Sequence, residues 1–226
     1  MQRKKLYVGI LLSFMLFSMP HVSAWHNGDG GTGESTNANT NENYSFEYNY
    51  GTHDWIADNA VHFLFSLDNA EWQWLKDREK IVYLGTEAPD NSELSDTFNG
   101  KEIEGFGDTS LHHIYFNEDG SVLEDDAAIR AKWCGDWANV YTGEEKWDLV
   151  AFYIGAMTHY IADMSMYAHV IDNNVAPHYV NFDEHHSSLE GYVQTRSNEH
   201  EDKEEFFKLS SYSITSQTPY DVAINL

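Results

Sequence analysis

The stretch LVAFYIGAMTHYIADMSMYAHV, residues 149–170, decides how the rest of the chain reads. It is mostly apolar and aromatic, yet it carries His159, Asp163 and His169. In an α-helix each residue turns about 100°, so His159 and Asp163 lie one turn apart on one face, and His169 falls within about 80° of His159. An ionised Asp among apolar side chains is costly unless it is paired, and a metal ion removes that cost. The competing reading is a core helix with a hydrogen-bonded His/Asp pair and a spare His. A second pair, His186 and Glu190 in EHHSSLEGYV, repeats the i, i+4 geometry on another segment. Imidazole nitrogen with carboxylate oxygen in a small coordination shell suits zinc. One such pair alone also fits a surface or capping contact.

The first 24 residues read as an export signal. Arg3, Lys4 and Lys5 begin it, an apolar run from Leu6 to Met19 follows, and Val22-Ser23-Ala24 supplies small residues at a cleavage position. The run is short for a membrane span, the alternative being an uncleaved anchor. Cleavage after Ala24 makes Trp25 the first residue of a secreted protein and frees an α-amino group, a possible metal ligand together with the Trp25 carbonyl. Loss of the signal lowers the 13 Lys and Arg to 10 against 37 Asp and Glu, a net charge of −27. Such a surface argues against a stable nucleic-acid partner, whose binding rests on cations that neutralise phosphates. Cys134 is the only cysteine, so no internal disulfide can form and the core, with any metal, must hold the chain.

Residues 27–44, rich in Gly, Asn, Thr and Ser, read as a flexible tether. Helical patterning starts at Thr52, an expected N-cap, with Trp55, Ile56, Ala60, Val61, Phe63 and Leu64 as the apolar stripe and His53 in the first turn. A further helix is expected over 68–83, ending at Gly85, and Asp90 follows Pro89 in a loop where a carboxylate can point inward. In SLHHIYFNEDGS, His112 and His113 point apart on any regular element, so one of the two is the expected ligand, before a turn at Asn117–Gly120. Residues 124–142 read as a helix with Ala127, Ile129, Trp133, Trp137 and Val140 inward, closed by Gly143. No strand-like alternation is sustained. The expected fold class is therefore all-α: a single-domain helical bundle over 25–226 with metal ligands in an interior cleft. Residues 199–208 form a solvated acidic stretch, and Thr218-Pro219 resembles a helix start, so a final helix is expected to be cut short or to fray.

Taken in order, an N-terminal Trp behind a signal, a His at a TH start, a loop Asp, HxY, HxxxDxxxxxH and HxxxE resemble the zinc-dependent phospholipase C family, which is related to the trinuclear-zinc single-strand nucleases. The resemblance runs from Trp25 to about Val193. It implies three zinc ions: one held by Asp90, His113, His159 and Asp163, a second by Trp25 and His53 with Asp163 bridging, and a third by His169, His186 and Glu190. It prefers His113 over His112, because HIYFNEDG aligns on the family's segment without gaps. The histidines outside this pattern, His26, His62, His178, His185 and His200, read as surface or supporting residues.

The activity implied is phospholipase C action by a monomer at a membrane surface, releasing a phosphorylated headgroup, with Asp90 orienting or deprotonating the attacking water. Asn27 or Gly28, and Asn91, stand where the bacterial phospholipases resembled carry headgroup-contacting acidic and aromatic residues, so choline selectivity does not carry over. Two other readings compete. One is a single-strand nuclease or nucleotidase on the same metals, against which stand Glu190 and the net charge. The other is a non-catalytic, zinc-stabilised surface protein with a closed coordination shell.

Overall fold

The computed structural model describes residues 52–92, 94–98, 100–117, 119–165, 167–170 and 217–225. The signal segment, Trp25, the tether, His186, Glu190 and the acidic stretch 199–208 lie outside them. Three helices come first: α1, Thr52–Leu67; α2, Asn69–Lys76; and α3, Glu79–Glu87. Two short strands follow, β1, Ser95–Phe98, and β2, Lys101–Glu104, then a 3₁₀ turn at Thr109–Leu111. A second strand pair is β3, Tyr115–Phe116, and β4, Val122–Glu124. The long helices α4, Asp126–Gly143, and α5, Trp147–Asp163, precede two short ones, α6, Tyr167–Val170, and α7, Pro219–Ile224. Among the described residues no helix is long and apolar enough to cross a membrane.

The molecule is built around α5. All of its residues from Leu149 to Asp163 are buried, and α3 and α4 pack along it. The approach of α3 is set by two glycines. A Cβ on Gly155 would meet the Val82 carbonyl oxygen at 2.0 Å, and one on Gly85 would meet the Phe152 carbonyl oxygen at 2.1 Å. The two backbones therefore touch where side chains would hold them apart. Gly85 is thus a helix-crossing residue, and α3 runs through it to Glu87 instead of stopping there as the sequence suggested.

The all-α assignment is overturned by two small antiparallel sheets, although the described chain is mostly helical. In the first, Ser95 pairs with Glu104 and Phe98 with Lys101 around Gly100 at φ 75°. Each strand has four residues and buries one apolar side chain, Phe98 or Ile103, too few to produce visible alternation. The signal that would have found it is the Asn99-Gly100 dipeptide, the sequence of a tight hairpin turn. In the second, Tyr115 pairs with Glu124 and Phe116 with Val122 across the turn read at Asn117–Gly120, where Gly120 has φ 81°.

Three helix expectations also need correction. The segment 68–83 is two helices. Asp68 caps α2 by accepting hydrogen bonds from the amides of Ala70 and Glu71, and the chain turns at Asp77-Arg78 before α3. The buried face of α4 is Ala127, Ala128, Ala131, Cys134, Gly135, Ala138 and Tyr141, whereas Ile129 and Val140 are exposed. Small residues win that face because they let α4 lie close against α5. Finally, 149–170 is not one helix: α5 ends at Asp163, where the Met164 and Ser165 amides donate to the Ile161 and Ala162 carbonyls in tighter turns, and α6 restarts at Tyr167. The angular reckoning that put His169 beside His159 therefore does not apply. At the C-terminal side, Thr218 caps α7 as expected, and Val222 and Ala223 are buried.

Candidate metal centre

His159 and Asp163 end α5, one turn apart, in the buried core. The Gly85–Gly155 crossing places the next residue of α3, Thr86, against His159. The Thr86 carbonyl, which can only accept, takes a hydrogen bond from His159 Nδ1 at 2.7 Å. Nε2 of the neutral ring is then left as a lone pair, directed at Asp163 Oδ2 at 3.2 Å and His112 Nδ1 at 3.2 Å. His112 is held likewise: its Nε2 faces Asp108 Oδ1 at 3.4 Å, while Nδ1 lies 3.2 Å from Asp163 Oδ2 and 3.3 Å from Asp90 Oδ1. Asp90 Oδ1 is 3.8 Å from His159 Nε2.

Four donor atoms, one each from His112, His159, Asp163 and Asp90, thus face a common point. With zinc–nitrogen and zinc–oxygen bonds of about 2.0–2.2 Å, the edges of a tetrahedral shell are about 3.3–3.5 Å. Four of the observed separations, at 3.2–3.3 Å, lie at or just under that length, and Asp90 to His159 is longer at 3.8 Å. Each ring also gives its other nitrogen to a protein oxygen, the arrangement that fixes the tautomer and orientation of a metal-binding His. On this donor set the residues fit a metal ion.

The second carboxylate oxygen of Asp163 faces another way. Oδ1 lies 2.9 Å from Nε2 of His53, in the first turn of α1, and the His53 ring stacks on His159 with centroids 3.9 Å apart. Asp163 is therefore positioned between two groups of donors: His53, His159 and Asp163 form one set able to hold a metal ion, and Asp90, His112 and His159 another. Buried His/Asp clusters of this kind are consistent with a metal-dependent enzyme in general.

The electrostatics of the cluster fit its geometry. Burial opposes charge on His112, yet hydrogen bonds to Asp108 and Asp163 and the charges of Asp163 and Asp90 outweigh it and push the ring up to about 10. The tetrad thus attracts a proton to the place where its lone pairs meet. Burial would also raise Asp163, but His159, His169 and His53, with the hydrogen bond from His112, hold it well below the usual carboxylate range. His53 is lowered to about 4, first by burial and then by His159, against the pull of Asp163.

Of the residues selected from sequence, His53, Asp90, His159 and Asp163 are brought together. His113 is not part of the tetrad. Its ring stacks on His169 and Tyr115, and its neighbour His112 turns inward instead. After the 3₁₀ turn at Thr109–Leu111 it is His112, the alternative of the two, that stands beside Asp90 and His159. His169 is buried and donates from Nδ1 to the His112 carbonyl at 2.9 Å, so it braces the same loop. Trp25, His186 and Glu190 lie outside the described residues.

Two supporting residues escaped the sequence reading. One is Thr86, whose hydroxyl donates to Asp54 at 2.6 Å and whose carbonyl orients His159. The other is Asp108, which holds His112, takes a hydrogen bond from Tyr160 Oη at 2.6 Å and forms an ion pair with Arg130 Nε at 2.6 Å. Asp108 precedes His112 by four residues, the same spacing that singled out His159 and Asp163. That signal was present in GDTSLHH, in what reads as an irregular loop. No family model, curated protein or solved structure matches the chain.

Proposed function

We propose that the chain is a secreted, zinc-dependent phosphodiester hydrolase, acting as a phospholipase C on phospholipid at a membrane surface. The observation that carries the metal-dependent part is the convergence of His112, His159, Asp163 and Asp90 at tetrahedral edge lengths, with Asp163 shared with His53. The phospholipid substrate and a monomeric state rest on the sequence resemblance, and export on the basic start, apolar run and small-residue cleavage position of residues 1–24. His112 takes the place that the resemblance gave to His113. Held by His112, His159 and Asp163, zinc would supply a Lewis acid for non-bridging phosphoryl oxygens and lower the pKa of a water that takes the fourth position where Asp90, the exposed member of the tetrad, gives way.

The chain's own residues divide the remaining work. The carboxylate of Asp163 and the rings of His53, His112 and His159 are almost fully buried, so they hold positive charge in a fixed place without competing water. Asp90 differs, because its side chain is 36% exposed while one oxygen faces the tetrad. It sits in the turn after Pro89, open to solvent, and is the one carboxylate of the tetrad that a substrate or water can reach. Asp90 accordingly orients the attacking water and accepts its proton.

The test is hydrolysis of phospholipid by purified protein, with zinc content measured before and after chelation. Headgroup release that stops on chelation and returns with zinc is expected. Asp90→Asn should lower turnover by roughly 10²- to 10⁴-fold and retain most of the zinc. Full activity in that variant removes Asp90 from the mechanism. Chelator-sensitive cleavage of single-stranded DNA, with phospholipid untouched, replaces the lipase reading by the nuclease one.

A further inference from the structure

Away from the buried cluster, α1 carries a second set of metal-capable side chains. His62 lies nine residues beyond His53, a rotation of about 900° that puts it on the opposite face of the same helix. Its Nε2 is 3.1 Å from Asp58 Oδ1, one turn back, and 3.6 Å from Glu79 Oε2 at the start of α3. Both distances bracket the edge of a tetrahedral zinc shell, about 3.3–3.5 Å. The three ligand atoms form a compact group drawn from two helices. The Asp58 carboxylate is fixed from behind by Tyr83 of α3, whose hydroxyl donates to Oδ1 at 2.7 Å. A positive charge already occupies the centre of the group, because the Lys76 ammonium, from α2, contacts both His62 Nε2 and Glu79 Oε2.

We propose that Asp58, His62 and Glu79 are a peripheral zinc site, distinct from the buried cluster, in which the metal displaces the Lys76 ammonium and ties α1 to α3. One imidazole and two carboxylates select a borderline ion such as zinc over calcium or magnesium, which favour all-oxygen shells. The His62 side chain is 55% exposed, so water completes the coordination and the ion exchanges with solvent. A site of this kind is weaker than the buried one and fills after it. Tying α1 to α3 also braces the helix that carries His53, so occupancy raises thermal stability without entering the chemistry.

The experiment is equilibrium dialysis of Zn²⁺ against full-length protein whose tightly held metal has survived desalting, with wild type, His62→Ala, Glu79→Gln and Lys76→Met compared. One further zinc per chain is expected in the wild type. Its affinity should fall by about a hundredfold or more in His62→Ala and fall in Glu79→Gln. It should rise about tenfold in Lys76→Met, where the competing charge is gone. His62→Ala should keep its tight zinc and its hydrolytic activity, while His159→Ala should keep the weak site, so failure at one site is told from failure at the other. An identical zinc isotherm in wild type and His62→Ala, or no tightening in Lys76→Met, overturns the proposal and leaves the cluster an ion-pair network only.

Discussion

Helix α1 presents two histidines to two different worlds. His53 is 1% exposed, stacked on His159 and pointed at the buried Asp163. His62, on the other face, stands mostly in solvent between Asp58, Glu79 and Lys76. Both faces set an imidazole against carboxylates. What separates them is the surrounding shell: in the core, one ring nitrogen each of His159 and His112 is committed to a protein oxygen, so the other nitrogens are aimed before any ion arrives. On the surface, screening weakens every charge and each group can turn to water instead. Clusters that look equivalent in sequence therefore differ in how much their disruption costs.

The largest effect should come from Asp163, which faces both donor groups. Asp163→Ala leaves the His112 charge buried with Asp108 and Asp90 but without its buried partner, and should destabilise the fold by about 3–5 kcal/mol. It should also remove metal from the set it shares with His53 and His159 and weaken the neighbouring set that its other oxygen faces, read by chemical denaturation and by zinc content. Loss no greater than that of the surface variant Glu79→Gln, expected at under about 1 kcal/mol, would erase the distinction between the two faces. Next is the backbone contact beneath the core site. Gly155→Ala forces a methyl into the Val82 carbonyl, so a loss of about 3 kcal/mol is expected, with reduced zinc affinity as Thr86 is pushed off His159.

Asp108 sharpens the comparison from the side of the supporting shell. Asp108→Asn keeps the volume but weakens the hold on His112 Nε2, and should lower zinc affinity by about 10- to 100-fold with folding largely intact. Unchanged affinity would mean that burial alone orients the ring.

A smaller effect is expected from pH on protein stripped of zinc. His112 is raised to about 10 in the fold from an ordinary value of 6.5, so between those values the native state holds a proton that the unfolded chain has lost. Stability is full below pH 6.5 on that account and falls as pH climbs toward 10. His53, lowered to about 4 chiefly by burial, acts with the opposite sign: the unfolded chain gains the proton first, and stability falls as pH drops from 6.5 toward 4. The stripped protein should be most stable near pH 6.5, with slopes of about 1.4 kcal/mol per pH unit for each group, measured by urea titration at stepped pH. His53→Gln should make the acid limb shallower, His113 being lowered to about 4 as well by burial and by His169, and spare the alkaline one.

Much of the helical frame was legible because apolar periodicity and caps act locally. The stripe of α1, the turn at Asn117–Gly120 and the Thr218 cap follow from neighbouring residues, and so does the pairing of His159 with Asp163, four apart on one helix. The hairpin of β1 and β2 escaped because four-residue strands with one inward side chain each carry no period to detect. The break after Asp163 escaped because apolar residues continue through it.

Residue types, order and spacing by themselves determined that this chain carries a His- and carboxylate-rich helix in an acidic, cysteine-poor protein, and which helix that is. They could not decide between His112 and His113, adjacent in sequence and equal in chemistry. That choice belongs to the tertiary structure: Gly85 and Gly155 let α3 and α5 meet backbone to backbone, the loop from Asp108 is pinned by Tyr160 and Arg130, and His112 is carried to within 3.2 Å of Asp163. Contacts made across the fold, such as Thr86 with His159 over 73 residues of chain, set where the lone pairs point. Local sequence fixes which atoms can bind a metal, and long-range packing fixes whether they face the same point.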